Sequence, residues 1–363
     1  MKRVIFLKKN GRLSKFLKYT VSAMILSLAV ICVARRIPEC FGAQNPAVLA
    51  AAITLNKGEI KNIEETKPAD TKTETGESII PTQNNDTEST ERNKSNYYDS
   101  FATHEGEEKF SIEERTITGG ATQVDSCYIK NKTDLDLDFD SILNEKLSFD
   151  IKKNDSPQVL IYHTHTGEAY IDEDVDFFYE SFYSRTRNND FNVVAVGEQL
   201  AKSLESRGIK VIHDKTIHDS SYNGSYDRSV QTVFEDMDKY KDIKVVLDIH
   251  RDAIGTETNK VKPVYEYNGK KGAQIMILAG CDAYGERGFD NWQKNLSFAL
   301  KIQNTAEKMY PNMTRPISFD FFAYNEYVCD GSLLIEVGTE ANSIDEAQYT
   351  AQLLGNVLYQ VLK

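Results

Sequence analysis

The sequence predicts an α/β fold, a mostly parallel sheet with helices on both faces, preceded by an N-terminal transmembrane helix and a disordered linker. Three observations predict it. Beyond Pro157, short apolar runs alternate with amphipathic stretches of helical period, the pattern of strands joined by crossover helices. An uncharged run, Tyr19 to Ala34, stands behind a flank that carries Lys2, Arg3, Lys8, Lys9, Arg12, Lys15 and Lys18 and no acid. Between the two, from Lys57 to Asn96, the chain is mostly Glu, Lys, Thr, Asn and Ser.

Residues 1–18 read as a cytoplasmic basic segment and residues 19–36 as a single-pass signal anchor. The apolar run is short against the roughly 17–25 residues of a spanning helix, but Lys18, Arg35 and Arg36 can snorkel to the interfaces and extend it. A cleaved signal peptide is the alternative, for which Cys40-Phe41-Gly42 offers a poor small-x-small site. Either reading exports the remainder, so the expected location is the cell membrane with the catalytic domain outside the cytoplasm. Residues 37–100 read as a linker, because the polar tract holds too few apolar groups to offset chain entropy.

Residues 101–155 read as a lead-in, with short strands expected at Ser126–Ile129, Leu135–Phe139 and Phe149–Ile151. Residues 156–363 read as the catalytic domain. Its expected strands are Val159–Tyr162, Ile209–Ile212, Val245–Ile249, Gln274–Leu278 and Leu333–Ile335. Its expected helices are Val193–Leu204, ended by Gly208, then Ser229–Lys239, Trp292–Met309 and Asp345–Leu362. No internal repeat is evident.

Composition excludes more than it selects. The formal net charge is −12 over 363 residues, and the C-terminal half carries no long basic stripe, which argues against a nucleic-acid groove. Five scattered cysteines, Cys32, Cys40, Cys127, Cys281 and Cys329, form no Cys-x-x-Cys pair and make an odd total. That argues against a disulfide framework and against sulfur-ligated zinc.

Ligand sites of such sheets gather at the carboxyl ends of strands. Three expected strands end in unusual residues: Val159–Tyr162 runs into His163-Thr-His165-Thr-Gly-Glu168, Val245–Ile249 into His250-Arg251-Asp252, and Leu333–Ile335 into Glu336-Val-Gly. Two histidines and a carboxylate fill three positions of a catalytic zinc site and leave the fourth for water. His165 and Glu168 with the distant His250 supply that set. His163 is a second candidate ligand in place of His165, since alternate residues of an extended segment point the same way, or an orienting residue behind one. Hydrogen-bonded loop histidines are the plainer reading for each taken singly, and His104, His213 and His218 are assigned to it. Glu336 at the end of an apolar strand suits a general base beside a metal-bound water; its plainer role is an ion pair with Arg251 or Arg185. Arg251 is a candidate for stabilising the developing oxyanion or binding a peptide carboxylate, or else an ordinary ion pair with Asp252 or Glu266.

At these residues the sequence resembles the stage II sporulation protein P family. The phrases are Val159-Leu-Ile-Tyr-His-Thr-His-Thr-Gly-Glu168, Asn192-Val-Val-Ala-Val-Gly197, His213-Asp-Lys-Thr216, Tyr222-Asn-Gly-Ser-Tyr-Asp-Arg-Ser229, Asp248-Ile-His-Arg-Asp-Ala253 and Glu336-Val-Gly338, within residues 125–363. That family is similar in turn to zinc-dependent N-acetylmuramoyl-L-alanine amidases, so the resemblance implies His250 as a ligand and Glu336 as the base. Those amidases carry Pro-Gly-His-Gly where this chain has His-Thr-His-Thr, which leaves His163 and His165 as alternatives. Their ligating Glu lies farther downstream, which sets Glu180 beside Glu168. Gly167 stands where the sporulation family is expected to have Thr. The resemblance also implies peptidoglycan as substrate, cut between muramic acid and the stem peptide with a second, endopeptidase cut within peptide cross-links, a role in engulfment in the mother-cell/forespore intermembrane space, and the stage II sporulation proteins D and M as partners. A zinc carboxypeptidase-like protease and a non-catalytic wall-binding module are the alternative functions.

Overall fold

The computed structural model describes residues 106–120, 122–152 and 154–363. The expected basic segment, anchor and linker, and His104, lie outside the described residues. No described helix is long and apolar enough to cross a membrane.

In chain order the elements are β1 (Lys109–Arg115), β2 (Thr122–Val124), β3 (Cys127–Asn131), α1 (Phe139–Asn144), β4 (Val159–Tyr162), β5 (Phe177–Tyr179), α2 (Val193–Glu205), β6 (Val211–His213), α3 (Ser225–Lys239), β7 (Val245–Asp252), β8 (Asn259–Tyr267), β9 (Lys270–Ala273), β10 (Ile275–Gly280), α4 (Trp292–Met309), β11 (Ile317–Asp320), β12 (Ser332–Thr339) and α5 (Ile344–Leu362). Eight strands form the main sheet in the order β2-β3-β11-β10-β12-β7-β4-β6, and four form a smaller one, β5-β1-β8-β9. In the main sheet only β2–β3 and β10–β12 pair antiparallel. Helix starts follow local chemistry: the Asn192 side chain accepts from Val194 N, and Ser343 with Glu346 closes a capping box on α5, which satisfies amides that have no partner inside the helix.

Strand parity decides what each face of the main sheet buries. Val159 and Ile161, Val245, Leu247 and Ile249, and Leu333, Ile335 and Val337 enter one large core with residues of α1, α2, α4 and α5. Leu160, Tyr162 and Val246 point the other way, into a small cluster with Val233 of α3 and Ile243. Helices therefore cover both faces, but unequally.

Two lead-in expectations differ from the structure. Leu135–Phe139 forms no strand, because Asp138 accepts from Ser141 N at 3.0 Å and starts α1 there. Phe149–Ile151 is also irregular. The smaller sheet and β11 were not anticipated. In β8, Lys260 and Lys262 alternate with Val261, but Pro263-Val264 stops the alternation by which a strand is recognised, yet β8 pairs with both β1 and β9.

Candidate active site

The thinly covered face carries the polar cluster. Val246, Asp248 and His250 share one parity of β7, so the strand that buries Val246 under α3 presents Asp248 and His250 farther along the same face. Parallel pairing sets Glu336 of β12 opposite His250. Just beyond, the β12 register shifts between Glu336 and Thr339. Gly338 there has φ +66°, and a Cβ on it would lie 2.5 Å from Asn342 Oδ1. The Glu-Val-Gly phrase thus reflects a backbone bend that a side chain would obstruct.

The other half comes from the turn after β4. Thr164 donates its N–H to Asp248 Oδ1 at 2.9 Å and its hydroxyl to Asp248 Oδ2 at 2.6 Å. That anchors the turn to β7 and delivers His165 and Glu168 beside His250. Glu168 Oε2 lies 3.3 Å from His250 Nδ1 and accepts from Arg251 N at 3.2 Å. The His165 and His250 rings meet edge to face with centroids 5.3 Å apart. His250 Nε2 lies 2.9 Å from Asp248 Oδ1, an ion-pair contact without hydrogen-bond alignment.

Electrostatics follow from this crowding. Burial disfavours the His250 imidazolium, but the Asp248 and Glu168 carboxylates outweigh it and hold the pKa well above its ordinary value. Against the same burial, His250 keeps Glu168 and Asp248 below the usual carboxylate range. Glu336 has no such close partner: burial pushes its carboxyl up to about 8, with His250 pulling the other way. Its Oε2 is buried without a hydrogen bond, as is His165 Nδ1.

Two carboxylates, those of Glu168 and Asp248, face the His250 ring. Donors held by tetrahedral zinc at about 2.0–2.1 Å stand about 3.3 Å from one another, the separation of His250 Nδ1 and Glu168 Oε2. The unpartnered His165 Nδ1 is a third donor of the right chemistry. Among the described residues no three His, Cys, Asp or Glu side chains already close into a metal cage. The residues fit zinc in donor type and along one ligand-to-ligand edge.

The remaining candidates lie elsewhere. The Thr164–Gly167 turn breaks the alternation that would have aimed His163 and His165 together. His163 keeps the parity of Ile161 and turns under α2, its Nδ1 2.8 Å from Ile249 O and its Nε2 2.9 Å from His213 Nε2. Both ring nitrogens are engaged. Glu180 is exposed beyond β5 of the smaller sheet, while Glu168 reaches His250. The Arg251 guanidinium donates to the carbonyls of Ala169, Ser184 and Asp252 at 3.2, 2.8 and 3.4 Å, and forms no ion pair with the carboxylate of Asp252, Glu266 or Glu336. Arg315 holds Asp252 at 2.8 Å. His213 and His218 are hydrogen-bonded as expected.

Sequence reasoning passed over Asp248, Asp219, Tyr222 and Tyr226. Asp248 was legible: an Asp-x-His pair within a strand puts a carboxylate on the face of the histidine it can orient. The two tyrosines were not, because only the fold brings the α3 entry to this place. Tyr222 stacks on His165 at 4.6 Å and 4°, and Tyr226 meets it edge-on at 5.8 Å.

The family model described as Stage II sporulation protein P matches residues 37–359. A curated relative, stage II sporulation protein P of Bacillus subtilis (strain 168), is 27% identical over 224 residues, 57% of this chain and 51% of that protein. The chain thus spans about half the length of the curated relative it matches. Among solved structures, the N-acetylmuramoyl-L-alanine amidase AmiC2 of Nostoc punctiforme is similar with TM-score 0.34 and 11% identity, over 58% of this chain and 96% of that one. The CwlD amidase from Clostridioides difficile, in complex with the GerS lipoprotein, gives TM-score 0.34 and 13% identity over 56% and 98%.

Proposed function

The chain belongs to the stage II sporulation protein P family, and from that premise we propose that it is a zinc-dependent peptidoglycan hydrolase of the N-acetylmuramoyl-L-alanine amidase type. Its place would be the extracytoplasmic side of the cell membrane, held by residues 19–36, in wall remodelling during engulfment. Stage II sporulation proteins D and M are the proposed partners. The observation that carries the reading is the meeting of His165 and Glu168, from the turn after β4, with His250 of β7 and Glu336 on the adjacent strand.

His165, Glu168 and His250 would hold the metal, and Asp248 would orient His250. Zinc, when bound, supplies Lewis-acid polarisation of the scissile carbonyl and acidifies water. Glu336 takes the proton that water loses as its oxygen bonds to the carbonyl carbon, then returns it to the leaving amine as the C–N bond breaks. Positive charge nearby favours the ionised Glu336 that this requires. Arg251 acts through Glu168, to which its backbone N–H donates.

Mass spectrometry of purified sacculi treated with the full chain tests the reading. Chelator-sensitive release of free stem peptides, with glycan strands intact, is expected. Cuts confined to peptide cross-links would shift the assignment to an endopeptidase, and no soluble product with zinc supplied would remove it.

A further inference from the structure

We propose that the cleft beside His165 and Glu168 is a carboxylate-binding subsite that receives the acidic stem peptide of the substrate, with Arg187 and Arg185 as its specificity-determining residues; this rests on the peptidoglycan reading above. The cleft has a volume of about 400 Å³, with Gly167, Tyr183 and Tyr222 among its walls.

One buried carboxylate organises it. The Asp219 side chain is 1% exposed and accepts from Arg187 Nη1 at 2.5 Å and Arg185 Nη1 at 2.9 Å. Thr166 Oγ1 and Gly167 N complete its shell at 3.0 and 3.1 Å, and Arg187 Nη2 also donates to the Asp219 carbonyl at 2.9 Å. The walls of the cleft carry two guanidinium groups and one carboxylate, a positive balance that the Glu168 carboxylate, 3.8 Å from Arg185, partly offsets. The Arg187 side chain is 49% exposed, so it offers donors to a ligand while Asp219 holds it in place. A guanidinium fixed in advance loses little freedom on binding. On a chain of net charge −12, such a cleft gives an anionic peptide a favoured place to dock.

Its position gives that charge a use. Arg185 Nη2 lies 3.8 Å from Glu168 Oε1. The Arg185 guanidinium also lies 5.3 Å from the centre of the Tyr222 ring that stacks on His165. A carboxylate held here sits about one or two residues from an amide at His165, at about 3.5 Å per extended residue. In peptidoglycan the second stem residue is an acidic one with a free α-carboxylate. The opposite flank is aromatic and neutral: Tyr226 and Tyr324 rings are 6.3 Å apart, and Tyr324 and Phe322 rings 5.2 Å.

The test compares a soluble disaccharide-peptide bearing the free α-carboxylate at the second residue with the same molecule amidated there. Steady-state cleavage by the full chain is measured alongside equilibrium binding of the two corresponding stem peptides. The parent is expected to favour the acid over the amide, in KM and in binding, by roughly ten- to hundredfold, the range of a hydrogen bond to a charged group. Arg187→Met should erase that preference by weakening the acid alone, in KM and in binding, and Arg187→Lys should keep part of it. Equal binding of acid and amide by the parent, or a preference that survives in Arg187→Met, overturns the inference whatever the activity. Should neither compound be cleaved while the binding preference stands, the hydrolase reading fails and the subsite remains.

Discussion

The two faces of the main sheet are built from alternate residues of the same strands yet differ in almost everything else. On one, Val245, Leu247 and Ile249 join a core fed by four helices. On the other, Val246 gives way along β7 to Asp248 and His250, and α3 supplies Val233 to a cluster of five buried apolar residues. The difference teaches where stability and chemistry separate: a face with less apolar packing can carry buried charge, provided a continuous core lies one residue away.

The largest effect expected is on the polar face. Glu336→Gln should lower hydrolysis by about 10²–10⁴-fold, the usual contribution of a positioned base, with bound zinc near that of the parent. Because a buried carboxyl with no hydrogen bond to Oε2 is a cost to the fold, the thermal midpoint should hold or rise. A parental rate on sacculi would dismiss Glu336 as the base. On the apolar face, Leu247→Ala should cost about 2–5 kcal/mol in urea unfolding, while Leu160→Ala, in the smaller cluster, should cost less because its surroundings can collapse more readily. Equal costs would mean that the asymmetry has no energetic meaning.

Asp248→Asn removes the charge beside His250 and should reduce zinc affinity about 10–100-fold, read by competition with a chromogenic chelator. An unchanged affinity would break the assignment of His250. The smallest effect concerns the far face, where burial pushes His213 down to about 4 and His163 to about 3. Glu198, Lys215 and Asp214 surround His213, and the first and last raise its pKa without restoring it. Below about pH 6.5 the unfolded chain binds protons that the folded chain refuses, so stability falls as pH drops toward 4. For His213 alone this amounts to about 2 kcal/mol between pH 7 and 5. His213→Gln should flatten that slope in thermal melts, and an unaltered slope would refute the attribution.

Most of this architecture was legible in the chain. β4, β7, β12, α2 and α4 fall within a few residues of the runs that predict them, because fully buried strands and amphipathic helices carry their own period. The smaller sheet was hidden, since Pro263-Val264 breaks the alternation in β8 and β5 and β9 are only 3 and 4 residues long. Within the site, His165, Glu168, His250 and Glu336 could be named because each follows an apolar strand. Asp219 and Arg187 could not: they lie on loops, and the turn through Gly167 and the Arg185 side chain join them to Glu168 only in the fold.

Gly197 shows how one face governs the other. A methyl group in its place would come within 2.8 Å of His163 and 2.6 Å of His213, so the bare backbone of α2 is what lets His163 seat against the carbonyl of Ile249. That bond clamps the end of β4 to the end of β7 immediately before His250 and two residues before His165. The gap between the two imidazoles is thereby set from behind the sheet, by a helix packed on the opposite face.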